Sequence, residues 1–173
     1  RLFMAGSQTR RKGIDLLPAL AESLGPGFTI RYAGGRKKLE MPIPGVVELG
    51  RISEAELIRE YQDCDAVISL SRYEGFGYTA LEGMACGKPF VGFATSGLLD
   101  VVKDGAGLLA PVSDVQALAG FCKELKANPA LVSEMGASGR RSAGREFGMP
   151  HSVNSYIRTY RTVAEPYNAI EGG

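Results

Sequence analysis

Histidine occurs once in the 173 residues, as His151, and three cysteines, Cys64, Cys86 and Cys122, are present without any CxxC spacing. A lone histidine beside Pro150, in a helical tail, points to a surface or interhelix role, and neither a multi-histidine metal site nor a His-based triad can be built from it. An odd number of cysteines set among apolar neighbours reads as reduced core thiols of a cytosolic protein. Charge of one sign is not in excess: 20 basic and 19 acidic side chains nearly cancel. No global field then marks a nucleic-acid or membrane partner, and no nucleic-acid partner is expected. Long apolar runs are missing as well. None approaches the roughly 20 residues of a membrane span, and the amino terminus lacks a signal-peptide pattern. These absences predict a cytoplasmic protein without a transmembrane segment, and leave room for peripheral association with the inner membrane surface. The stretch "YAGG", Tyr32–Gly35, has no GxGxxG at a strand-to-helix turn, which disfavours a dehydrogenase.

With 45% hydrophobic residues, the chain can bury one sizeable core, so residues 1–173 are expected to form a single domain. Six short apolar runs, "RLFMAG", "FTIRYAGG", "VVELG", "AVISLS", "KPFVGFA" and "GLLAP", each stop at glycine, proline or serine and read as buried strands. Helical patterns lie between them. Ser53 and Glu56 form a capping box before Leu57, Ile58 and Tyr61, and Ser113 with Gln116 suggests another before Leu118 and Cys122. Alternating strands and helices predict a Rossmann-like parallel α/β sheet with helices on both faces. Pro18 is tolerable in a helix only near its first turn. From Ala130 to about Ala164 the strand signal vanishes, leaving helices broken around Gly148 to Pro150. The first strand starts at residue 1, which leaves no room in this chain for an earlier domain.

Three loops at the carboxyl ends of predicted strands carry unusual chemistry: Gly6 to Gly13, Gly34 to Lys38, and Ser71 to Tyr78. In open α/β sheets such ends form the ligand crevice. "SRYEGFGYTALEGMACGKPFVG", Ser71–Gly92, places Glu74 before a glycine-aromatic-glycine turn and Glu82 eight positions later. Acids set among glycines and aromatics suggest a ligand rich in hydrogen-bond donors, and hydroxyl-rich ligands fit. Gly75 and Gly77 permit close backbone approach, and the turn leads into a helix over about Thr79 to Cys86 whose amino terminus suits a phosphate. Glu82 shares a helix face with Tyr78. A carboxylate there could accept from a ribose diol while Glu74 takes the hydroxyls of a second ring, so the two should fail separately when mutated. In "GSQTRRKG", Arg10, Arg11 and Lys12 could neutralise a diphosphate. The basic clusters Arg36, Lys37, Lys38 and Arg140, Arg141, Arg145 read as solvated faces. Asp63 and Asp65, an Asp-x-Asp pair at a helix end, read as a turn and not as a metal site.

Together these residues resemble the carboxy-terminal, donor-binding half of family-4 retaining glycosyltransferases of the GT-B fold. The stretch Ser71–Gly92 is similar to that family's E-x7-E signature, with Glu74 and Glu82 as its acids and Ala85, Gly87 and Pro89 as the following "AxGxP". The similarity runs from "GSQTRRKGIDLL" through "YAGG", "VVELGRISEAELIREYQDCDAVISLS" and "SGLLDVVKDGAGLLAPVSD" to the final helices. It implies that the chain is one half of a GT-B fold. It also implies an amino-terminal acceptor-binding domain absent from this chain, and a retaining hexosyltransferase inactive as the isolated domain, working in bacterial glycan, polysaccharide or glycolipid synthesis. By resemblance, Glu74 meets the donor sugar, Glu82 the ribose, and the backbone of Phe76, Gly77 and Tyr78 the sugar and phosphate. Lys12 neutralises the diphosphate, Glu74 and Lys12 being the catalytic pair, and the base lies near Gly50, Arg51 and Ile52. The donor would be a nucleoside-diphosphate sugar, with no metal or other cofactor. Two positions depart from the pattern: Ser7 stands where arginine is usual, and the later "GG…E" appears as Ser96, Gly97 and Asp100. Arg10 or Arg11 could supply the missing charge. Two further readings remain beside this one: a non-catalytic sugar-nucleotide-binding or partner-docking module, and a sugar-nucleotide epimerase.

Overall fold

Each of the six apolar runs becomes one strand: β1 (Leu2–Ala5), β2 (Ile30–Ala33), β3 (Val46–Gly50), β4 (Ala66–Ile68), β5 (Phe90–Phe93) and β6 (Gly107–Ala110). The computed structural model describes residues 1–35, 39 and 41–171, with side chains through 164; Arg36, Lys37 and Lys38 lie outside them. The strands form a single sheet in the order β3-β2-β1-β4-β5-β6, and every neighbouring pair is parallel. Strand order reverses at β1, which has β2 on one side and β4 on the other. In open parallel sheets such a reversal, here between β1 and β4, is where a ligand crevice is expected.

Among the described residues the helices are α1 (Leu17–Leu24), α2 (Glu54–Asp63), α3 (Tyr78–Ala85), α4 (Ser96–Val101), α5 (Val115–Ala127), α6 (Pro129–Phe147) and α7 (Met149–Glu171), of which α1 to α6 supply residues to the two cores that cover the sheet. Side-chain alternation along β1 explains why they take both faces. Leu2 and Met4 enter one core cluster with Leu17 and Leu20 of α1 and Leu118 and Cys122 of α5. Phe3 enters the other, with Tyr61 of α2, Met84 of α3, Leu98 of α4 and Ala143 of α6. Each fully buried Leu or Phe contributes about 1.5–3 kcal/mol. A slip of one residue would exchange the two faces, so the register is firmly specified.

Local signals decide the helix ends. At α2 the Ser53 Oγ accepts from the Glu56 N–H at 3.3 Å and the Glu56 carboxylate accepts from the Ser53 N–H at 2.8 Å, the expected capping box. Pro18 lies in the first turn of α1, where its missing N–H costs nothing. At α5 the expected cap moves by one residue: Asp114, not Ser113, accepts from the Ala117 N–H at 2.9 Å, while Gln116 turns away to donate to Ser23 Oγ. An ionised carboxylate gains more than a hydroxyl from the positive end of a helix. Gly148, at φ −66° and ψ 149°, separates α6 from α7. The thiols of Cys64 and Cys122 are buried, which pushes both up to about 12, and half-buried Cys86 is shifted upward by the same cause. Among the described residues, no helix is long and apolar enough to cross a membrane.

Candidate nucleotide-sugar site

The loop after β1 tightens into a short 3-10 turn at Arg10–Lys12, capped by Thr9, and reverses at Gly13 with φ +73°. A side chain at Gly13 would place its Cβ 2.0 Å from the Leu70 carbonyl oxygen, so only glycine lets this loop lie against the chain leaving β4. That approach brings Lys12 within reach of the loop after β4. Its Nζ donates to Glu74 Oε2 at 2.5 Å, and both side chains are largely sheltered, 19% and 16% exposed. Arg72 ties the same two loops together: its guanidinium takes both carboxylate oxygens of Asp15 at 2.8 Å, donates to the Arg10 carbonyl at 2.6 Å, and reaches Ser113 Oγ at 3.2 Å. This bond to Arg72 is the first cause holding the Asp15 carboxyl below its ordinary value. Arg10 and Arg11 are exposed, and Arg11 donates to the Tyr73 carbonyl at 3.4 Å.

The second acid stands on α3. Gly77, at φ +105°, precedes the first turn, whose N–H groups have no partner within the helix. Gly75, by contrast, has no positive φ. Phe76 packs on Tyr78 at 4.8 Å between ring centroids and edge-on against Phe147 of α6 at 5.7 Å, which anchors the turn while Tyr78 remains exposed. Glu82, on the exposed face of α3, accepts a 2.6 Å hydrogen bond from the hydroxyl of buried Tyr61.

A cavity of about 670 Å³ lies at the carboxyl ends of β1, β2 and β3, lined among others by Gly6, Ser7, Gly34, Gly50, Arg51 and Ile52. Arg51 is exposed there and Ile52 half-buried. Ser7 offers a hydroxyl, 3.4 Å from that of Thr9, and no charge. A larger hollow of about 1120 Å³ lies between α1 and the β2–β3 connection, walled chiefly by apolar groups such as Ile14, Pro18, Phe28 and Ile43. It borders residues that the structure does not describe, and Lys12, Glu74 and Glu82 are not part of its wall.

The structure thus joins Lys12 to Glu74, groups Arg51 and Ile52 at the strand-end cavity, and places Phe76, Gly77, Tyr78 and Glu82 around the start of α3. Sequence reasoning missed Tyr61, which appeared there only as part of an apolar helical stripe, and Arg72, which went unassigned inside the quoted motif. A buried tyrosine hydroxyl needs a polar partner, and that requirement was the one local hint. Asp63 ends α2 and Asp65 precedes β4, as a turn requires. His151 is exposed on α7 beside Ser155. Among the described residues, no group of three or more His, Cys, Asp or Glu could hold a metal ion.

The family model "Glycosyl transferases group 1" matches residues 1–142. An uncharacterized glycosyltransferase of Methanocaldococcus jannaschii is 31% identical over 170 residues, covering 94% of this chain and 47% of that protein. The D-inositol 3-phosphate glycosyltransferase of Mycolicibacterium smegmatis is 32% identical over 174 residues, covering 91% and 39%. The chain therefore spans about half or less of the curated relatives it matches. Among solved structures, sucrose-phosphate synthase from Thermosynechococcus elongatus superposes with a TM-score of 0.81 at 27% identity, over 95% of this chain and 46% of that one. Anabaena HepE in complex with UDP-glucose shares the fold with a TM-score of 0.79 at 21% identity, over 94% and 48%. The Rossmann-like α/β fold is that of GT-B glycosyltransferases, and the chain belongs to the group 1 glycosyl transferase family.

Proposed function

We propose that this chain is the carboxy-terminal, donor-binding part of a family-4 retaining glycosyltransferase, and that it takes a nucleoside-diphosphate sugar without a metal ion. The observation that carries the reading is the Lys12–Glu74 pair, which links the loops that leave adjacent strands β1 and β4. A cation on one side and a carboxylate on the other match a ligand that carries a diphosphate and sugar hydroxyls together. Lys12, aided by Arg10 or Arg11 and the first-turn N–H groups of α3, stabilises the leaving diphosphate. Glu74 holds sugar hydroxyls, Glu82 the ribose, and the cavity at Arg51 and Ile52 the base. HepE in complex with UDP-glucose, and TarM from S. aureus in a complex that includes UDP, make uridine nucleotides the first ligands to test.

An amino-terminal acceptor domain completes the enzyme in this reading. The chain spans at most about half of its relatives, and α7 exposes an apolar stripe, Met149, Val153, Tyr156, Ile157 and Tyr160, that a further part of the protein would cover. The complete protein would work in the cytoplasm, in glycan, polysaccharide or glycolipid synthesis, at the inner membrane surface where the acceptor is lipid-linked. Calorimetric titration of this chain with UDP and UDP-glucose in excess chelator tests the donor site: binding should persist, and binding that vanishes with the chelator overturns the metal-free reading. No sugar transfer is expected from the 173 residues alone, because the acceptor must be held in near-attack geometry by the other domain. Ser7, where a charge is usual, favours one alternative, a non-catalytic binding module. Donor binding without transfer in the complete protein would select it.

A further inference from the structure

Glu82 stands on the exposed face of α3, where a glutamate has several rotamers and loses that freedom when a ligand fixes it. Tyr61 alters this. Its ring is 2% exposed, packed edge-on against Phe3 of β1 at 5.0 Å and 89°, and carried by a helix whose start the Ser53–Glu56 box secures. Its hydroxyl donates to Glu82 Oε2 at 2.6 Å. Burial first, and the Glu82 carboxylate second, shift the phenol far above its ordinary value, so it remains a donor throughout the working pH range. A rigid donor from the core therefore selects the position of a surface carboxylate.

Resting on the reading of Glu82 as the ribose ligand, we propose that Tyr61 is a positioning residue for nucleotide binding: its hydroxyl engages Glu82 Oε2 and presents Oε1 to the ribose diol. The ligand then meets a carboxylate already ordered, and less freedom is lost on binding. A purely structural role, in which the buried hydroxyl merely finds the nearest acceptor, would affect stability alone.

Calorimetry with UDP and with inorganic pyrophosphate, on the unaltered chain, Tyr61→Phe, Glu82→Ala and the double variant, separates these. Tyr61→Phe should weaken UDP by roughly fivefold, the worth of one net hydrogen bond, and leave pyrophosphate unchanged. In the Glu82→Ala background it should add nothing, since its effect runs through Glu82. Full UDP affinity in Tyr61→Phe while Glu82→Ala is weakened overturns the role of Tyr61 alone, as does an equal loss in both backgrounds. Full UDP affinity in Glu82→Ala removes the ribose reading itself and the proposal with it. A second measurement keeps the hydroxyl in place: 3-fluorotyrosine replacing Tyr61 should shift its fluorine resonance on addition of UDP and not of pyrophosphate. An unmoved resonance at saturating UDP overturns the proposal.

Discussion

Lys12 and Glu74, 62 positions apart in the chain, form a 2.5 Å ion pair across the gap between the loops of β1 and β4. The cation assigned to the diphosphate and the acid assigned to the sugar are each other's partners. A diphosphate entering the crevice must therefore compete with Glu74 for Lys12. Glu74 and Glu82 are still expected to fail separately, but the ion pair ties Glu74 to diphosphate binding as well as to the sugar. Glu74→Gln should strengthen UDP binding two- to fivefold, because a partly exposed pair is worth up to about 1 kcal/mol and a like charge is removed from beside the phosphates. Lys12→Ala should weaken UDP and abolish that gain. Calorimetry of both variants and their combination reads it directly, and unchanged or weaker UDP binding in Glu74→Gln would show that the pair is not in competition with the ligand.

Glu82→Ala should weaken UDP and UDP-glucose by the same amount, about 1.5–3 kcal/mol for a lost hydrogen bond to a charged group. The ribose is common to both ligands and the sugar is not. A loss confined to UDP-glucose would move Glu82 to the sugar end of the ligand.

The backbone N–H of Gly97 donates to the Glu74 carbonyl at 3.0 Å, and a Cβ at position 97 would lie 2.6 Å from that oxygen and 2.7 Å from the Gly75 carbonyl carbon. Gly97→Ala should displace the Glu74 loop, destabilise the fold by about 1–3 kcal/mol as overpacking does, and lower UDP-glucose affinity. Chemical denaturation and titration of the same preparation test both effects.

Glu60 sits under Arg31, which donates to both its oxygens at 2.6 and 2.7 Å, and under Arg1 at 2.8 Å. The bond from Arg31 is the first cause that lowers its carboxyl to about 2. A depressed acid contributes stability that is fully present above its unfolded value of about 4.5 and is lost as pH falls toward about 2. Discounted for solvent screening of a pair that water can reach, the contribution is on the order of 1–2 kcal/mol. Glu60→Gln should destabilise the protein at neutral pH and flatten its stability profile between pH 4.5 and 2. Urea denaturation across that interval is the check, and an unchanged slope would deny the pair its role.

The strands and most helix boundaries were legible in the sequence because their causes are local. An apolar run stopped by glycine or proline, a serine three residues before a glutamate, and a proline at a helix start act over a few positions. The same holds for the motif glycines and for the two acids, whose types and spacing can be read directly. Where a decision lay between two local acceptors, as at Ser113 and Asp114, pattern reading chose the wrong neighbour. Ser113 instead receives Arg72 from the loop after β4.

What the sequence by itself determined, then, is the set of elements and the kinds of groups at their ends; what the tertiary structure decided is which of those groups meet. Strand order placed β4 beside β1, and that adjacency, with the close approach at Gly13, set Lys12 against Glu74 and Arg72 against Asp15. The packing of α2 and α3 on one face of the sheet put the hydroxyl of Tyr61 on Glu82. No local pattern encodes these pairings, because each depends on distances between segments that are far apart in the chain and are fixed only when the apolar faces of the sheet are covered.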